Sequence, residues 1–156
     1  KTAKKVFIGI VLHAGESADF IARRMAIFAS EDIGNANPNA LNLAANALAT
    51  VSKIGFPEAR IILAQCAMYL AHSPKSNSSY KAINAALAYV KNEPPLKIPP
   101  YLINTAPEAK DYLYPHSFGG WVEQKYLEKT LKFYESNGIG FEKTLDEWLA
   151  KIKFKV

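Results

Sequence analysis

Apolar side chains recur at intervals of three and four residues from Val6 to Val90, and the rhythm then breaks until the last stretch of the chain. That period puts them on one face of a helix, which turns once in about 3.6 residues. Lys4 to Ala14 reads as a first helix with Val6, Ile10 and His13 on one side, stopped at Gly15. Ser17 is placed to cap a second, with Asp19 in the dipole-favoured first turn and Phe20, Ile21, Met25 and Phe28 as its inward stripe. Asn37-Pro38 predicts a third start, an asparagine cap ahead of a proline whose missing N–H costs nothing there. Leu41, Ala44, Ala45, Leu48 and Val51 carry that helix to Gly55, and its many alanines would let neighbours approach closely. Pro57-Glu58 opens a fourth, apolar on nearly every side through about Ala71, which predicts the central and most buried element. After Pro74, Ser76 is placed to cap a helix with Tyr80, Ile83, Leu87 and Val90 on one side. Short turns between these helices predict an all-α fold, an antiparallel helical array.

The pattern changes at Glu93. Pro94-Pro95-Leu96-Lys97-Ile98-Pro99-Pro100 cannot be helical and predicts an extended, proline-rich linker. Thr105-Ala106-Pro107-Glu108 has the form of a capping box before a short helix. From Tyr114 to Tyr134 glycines and aromatics predict a small irregular segment or β-hairpin. Phe141, Leu145, Trp148, Leu149 and Ile152 then mark a final amphipathic helix. The expected organisation is a helical core over residues 1–92, with the linker, aromatic segment and last helix of 93–156 packed on it as one structural unit.

Composition narrows the class. With 156 residues, 49% of them hydrophobic and 21% charged, the chain can bury a core and is not of the disordered type. Its single cysteine, Cys66, allows no internal disulfide, which favours a reducing, intracellular setting. No apolar run reaches membrane-spanning length, and the basic-then-apolar start lacks a cleavage site. That abrupt start suggests a piece of a longer protein. The net charge of +5 permits weak attraction to nucleic acid, although many of the lysines lie near the two ends.

Charge is concentrated between Arg23 and Gly34, where Arg23-Arg24 precede an apolar turn and Ser30-Glu31-Asp32. Acids beyond a helix's last turn face its carbonyl end and call for a cation. Arg23, Arg24 and Arg60 can supply it, giving a structural ion-pair cluster of Arg23, Arg24, Glu31, Asp32 and Arg60. The same acids could hold a metal or work as an acid–base pair, and the arginines could bind phosphate. Lys75, Ser76 and Asn77 at a helix start form a candidate anion or DNA contact, although ordinary capping accounts for the same residues. Phe118, Trp121, Tyr126, Phe133 and Tyr134 are candidates for a subunit interface, a satellite core or base stacking. Cys66 and His72 fall on different faces of one helix, which favours an inert thiol over a nucleophile and its base. The sequence has no phosphate loop, no G-x-G-x-x-G after a strand, no H-E-x-x-H and no paired C-x-x-C. No catalytic, cofactor or metal site is therefore assigned, and the ion-pair cluster is the preferred reading of the acids.

Three motifs carry a resemblance: Arg-Arg-Met-x-x-x-Ala-Ser-Glu-Asp-Ile-Gly at 23–34, Pro-Glu-Ala-Arg-Ile-x-Leu-Ala-Gln at 57–65, and Pro-Lys-Ser-Asn-Ser-x-Tyr-x-Ala at 74–82. Together they resemble the RarA/MgsA family of AAA+ ATPases, relatives of the Werner-helicase-interacting protein and of clamp-loader subunits. Residues 116–127, Phe133-Tyr134 and Gly140-x-Glu142 match more loosely. The resemblance implies the C-terminal portion of such a protein, a helical domain like the clamp-loader collar. It further implies an upstream module that takes ATP and magnesium, assembly into homotetramers, and action of the whole protein on DNA with replication-fork proteins at stalled forks. No cofactor is implied for this portion, and the setting would be cytoplasmic and nucleoid-associated. Two readings stay open on that basis: an oligomerisation module, or a surface that itself binds DNA or a replication protein.

Overall fold

In a computed structural model residues 15–153 are described. The fold is all-helical: α1 (Ala18–Phe28), α2 (Asn39–Ile54), α3 (Ala59–His72) and α4 (Ser78–Asn92) are joined by short connections, a long irregular segment leads from α4 to α5 (Glu142–Lys153), and there is no strand among the described residues. The helix expected over Lys4–Ala14 lies outside the described residues.

Helices α1, α2 and α3 pack on one another. Ser17 begins α1 as its sequence position suggests, its hydroxyl accepting from the Phe20 N–H at 3.2 Å. The three helices run antiparallel in succession. Ser52, near the end of α2, donates to Asp19 at the start of α1, and Tyr69, near the end of α3, meets Asn37 and Asn39 at the start of α2. The core between them is a stripe from each helix: Ile21, Ala22 and Met25; Ala40, Ala44, Ala47 and Val51; Ala59, Leu63, Cys66 and Leu70.

The stripe on α2 is rotated from the one its leucines predict. Alanines at 40, 44 and 47 face inward because three helices converge there and only small side chains permit that approach, which leaves Leu41 exposed and Leu48 at the margin. Nor is α3 buried all round. Helices α1 and α2 cover one side of it, and Ile61 on the other side is 62% exposed. Asn37 does not cap α2 with its side chain, which turns away to the Tyr69 and Ser73 hydroxyls at 3.1 and 3.0 Å.

Between α1 and α2 the chain makes a π-helical turn, Ala29–Ile33, and a 3₁₀ turn, Gly34–Ala36. The wider π-helical turn re-aims the chain, and it seats Ala29 and Ile33 in the core while Ser30 and Asp32 stay in water. α4 docks on these two turns rather than along α1–α3.

Between Tyr114 and Tyr134 the chain takes the irregular of its two expected forms, with no strand, and the capping box at Thr105–Glu108 does not form. Three 3₁₀ turns, Pro100–Leu102, Pro107–Asp111 and Pro115–Phe118, each begin with a proline and have no side-chain cap. Proline fixes the backbone and removes a donor, so Pro115 disfavours a hairpin ladder at the start of the aromatic segment. One side chain does part of the ladder's work: Gln124 donates to the Leu113 carbonyl at 2.7 Å and accepts from its N–H at 3.2 Å.

Candidate functional site

The α1–α2 turn, the α3–α4 loop and the segment leading into α5 meet at Glu142. This residue opens α5 and is fully buried, at 0% exposure. Its Oε1 accepts from the Ser76 hydroxyl at 2.7 Å and the Tyr134 hydroxyl at 3.0 Å. Its Oε2 accepts from the backbone N–H groups of Asn137 and Ile139, both at 3.2 Å. Every one of these partners is neutral. Burial by itself raises the carboxyl's pKa, but the hydrogen bonds from Ser76, Ile139, Tyr134 and Ser78 outweigh it and hold the group below the usual carboxylate range.

A second layer fixes the donors. Asn137 Nδ2 donates to Ser76 Oγ at 3.0 Å, the Ser78 N–H reaches the same oxygen at 3.3 Å, and Asn35 Nδ2 donates to Tyr134 at 3.5 Å. Ser76 thus does serve the first turn of α4, one position outside its Asn77 cap. Burial is the first cause raising the pKa of the Tyr134 hydroxyl, and the nearby Glu142 and Asp146 charges raise it further.

Two glycines let the backbones touch. A Cβ at Gly140 would lie 2.2 Å from the Ala36 carbonyl oxygen and 2.9 Å from Pro74, and its φ is +58°. The next N–H, that of Phe141, donates to the same Ala36 oxygen at 2.9 Å. At Gly34, with φ +51°, a Cβ would lie 2.9 Å from the Ser76 carbonyl oxygen, while the Ser76 N–H donates to Ile33 at 3.3 Å. Only glycine fits either close approach.

The predicted site residues distribute differently. Arg23, Arg24, Asp32 and Arg60 are exposed and Glu31 is half-buried, and among the described residues no ion pair joins them. The joint expected of Arg23, Arg24, Glu31, Asp32 and Arg60 is made instead by backbone, through the π-helical turn and Gly34, so the acids need no cation to hold it.

Lys75 points inward. Its ammonium donates to the Leu70 carbonyl at 2.8 Å and to that of Ser73, and it lies 5.7 Å from the centre of the Phe28 ring. It therefore satisfies carbonyls at the end of α3, where a cation is favoured, and Ser76 is 4% exposed on a carboxylate. An anion at Lys75, Ser76 and Asn77 would face that buried negative charge. Only Asn77 of the three is exposed.

Of the aromatic candidates, Tyr134 belongs to the Glu142 junction, and Phe133 meets Tyr89 of α4 edge-on at 5.7 Å. Trp121 is half-buried, while Phe118 and Tyr126 remain 50% and 48% exposed. The Cys66 thiol is buried, and loss of water pushes its pKa up to about 11. No cluster of three or more metal-ligating side chains occurs among the described residues. An open pocket of about 390 Å³ lies beside Tyr69, between Asn37 and Pro74. The Asn39 amide, and after it Asn37, holds the Tyr69 phenol below its ordinary pKa.

A family model described as MgsA AAA+ ATPase C terminal matches residues 3–153. The chain belongs to this family. Relatives agree: an uncharacterised protein of Thermotoga maritima is 41% identical over 91% of this chain and 25% of its own length. Replication-associated recombination protein A of Bacillus subtilis is 38% identical over 94% of this chain and 37% of its own. ATPase WRNIP1 of Dictyostelium discoideum is 35% identical over 78% and 15%. The chain spans no more than about two fifths of these relatives.

Within this MgsA-type C-terminal domain, Glu142, Asn137 and Ser78 were missed as site residues by residue chemistry. The available signal was an acid opening a helix two positions after a glycine, inside a segment that also matches the family pattern.

Proposed function

We propose that this domain is the non-catalytic oligomerisation module of a replication-associated recombination AAA+ ATPase, joining subunits into a homotetramer that acts with fork proteins on DNA at stalled replication forks. One observation carries the proposal. Tyr80, Ile83, Leu87 and Val90 form a continuous apolar stripe on α4, each between 46% and 76% exposed, where a helix of a monomer would turn such a stripe inward.

ATP and magnesium belong, on this reading, to a module outside this chain. No helix among the described residues is long and apolar enough to cross a membrane, and a cytoplasmic, nucleoid-associated setting follows from the proposed role.

The alternative, direct binding of DNA or of a replication protein, has less support because Lys75 and Ser76 are occupied within the fold. Light scattering coupled to gel filtration tests the primary reading and is expected to give a multiple of the chain mass. Salt-dependent fluorescence anisotropy with forked DNA, found together with a monomeric mass, would reverse the order of the two readings.

A further inference from the structure

We propose that Asn137-Gly138 is a deamidation site, and that conversion of Asn137 to aspartate or isoaspartate releases the Glu142 junction irreversibly. Asn-Gly occurs once in the sequence. It is the dipeptide in which this chemistry is easiest, because glycine has no side chain to crowd the attack of its amide nitrogen on the preceding asparagine. Asn137 is exposed, so water reaches it. It also touches both partners of the junction, its side chain on Ser76 and its backbone N–H on Glu142.

Beyond the chain itself the reaction consumes only water. The Gly138 nitrogen loses its proton to solvent base and bonds to Asn137 Cγ, the Cγ–Nδ2 bond breaks, and ammonia leaves. Water then opens the succinimide ring at either carbonyl. One opening gives aspartate. The other gives isoaspartate, whose main chain runs through the former side chain and is longer by one carbon.

In the closed junction both reacting groups are engaged. Asn137 Nδ2 donates to Ser76 Oγ at 3.0 Å, and the Gly138 N–H donates to Ser136 Oγ at 3.0 Å. Attack requires the amide to leave Ser76 and the Gly138 nitrogen to leave Ser136, so the site reacts when this segment opens. The product then opposes closing. Aspartate at 137 has no proton for Ser76, whose own hydroxyl proton goes to Glu142, and it brings a second carboxylate towards the first, where like charges repel. Isoaspartate inserts a methylene between the N–H groups of residues 137 and 139, the pair that holds Glu142 Oε2. The junction is thereby a latch that opens once and that refolding does not reset.

Peptide mapping by mass spectrometry tests the site, on the 156-residue chain aged at mildly alkaline pH both folded and in guanidinium chloride. Residue 137 is expected to become acidic in both, and ~30-fold more slowly in the folded chain, where two hydrogen bonds must break together. Asn137→Asp, which places the product in the chain directly, should lower the melting temperature by about 4 °C. In a Glu142→Gln background, without the neighbouring charge, the drop should be half of that or less. An unfolded chain that keeps its amide at 137 would overturn the site, and equal rates in the folded and unfolded chains would overturn its control by the junction. An Asn137→Asp chain that melts with the wild type would overturn the latch, and an equal drop in both backgrounds would overturn the part assigned to charge.

Discussion

Replacing Glu142 with glutamine keeps the shape of the side chain and removes its charge. The carboxylate accepts four hydrogen bonds, two from hydroxyls and two from backbone N–H groups. Glutamine offers one acceptor oxygen and, on the other side, an N–H donor. If the oxygen faces Asn137 and Ile139, the amide nitrogen faces Ser76 and Tyr134. Those hydroxyls already accept from Asn137 Nδ2, the Ser78 N–H and Asn35. Bonds to a charged acceptor contribute about 1.5–3 kcal/mol each against about 0.5–1.5 for neutral ones, and mismatched donors add their own cost. Removing the charge also relieves desolvation, but the depressed pKa shows that the bonds outweigh it. The net loss should be about 3 kcal/mol, read by urea unfolding at neutral pH as a lower midpoint with an unchanged slope. The pH dependence carries an independent signature. Because the folded pKa is lowered, this stabilisation is fully present above the unfolded value of about 4.3 and is lost as pH falls below it through the folded pKa. Glu142→Gln should lack that component. A variant within ~0.5 kcal/mol of wild type, with the same acid limb, would refute the reasoning.

Three further outcomes follow from the same contacts. Gly140→Ala puts a methyl 2.2 Å from the Ala36 carbonyl oxygen at a positive φ; it should cost ~3 kcal/mol and speed hydrogen exchange at the Phe141 amide. Lys75→Met removes the cation from the Leu70 and Ser73 carbonyls; it should lower stability by about 1 kcal/mol while leaving the salt dependence of any DNA binding unchanged. The Cys66 thiol, buried with a pKa of about 11, should resist alkylation at pH 8 and react at the rate at which the native chain opens, measured by mass spectrometry over a urea series.

The sequence was legible where the cause of structure is local. Ser17 could be read as a cap because its partner is three residues away, and the positions of α1 to α5 followed from periodicity. Faces were harder. Period alone does not say whether the alanines or the leucines of α2 turn inward, since that depends on how closely α1 and α3 approach. Tyr80, Ile83, Leu87 and Val90 were correctly grouped on one side of α4, and nothing in their spacing tells that α4 leaves this side in water. Glu142 was least legible: Ser76, its shortest contact, is 66 positions away, and the donors it gathers belong to turns rather than regular elements. Between Arg23 and Gly34 the dense charge pointed to ion pairs, while backbone geometry forms the joint. The aromatic segment reads as irregular or as a hairpin, and it is irregular: Pro115 lacks a ladder donor at its start, and the Gln124 side chain binds the Leu113 backbone.

The central claim is that this domain holds subunits together, and native mass spectrometry of the chain across a dilution series tests it most directly. Species at multiples of 17.2 kDa that dissociate on dilution are the predicted result; a single species at the mass of one chain, at every concentration, would contradict it.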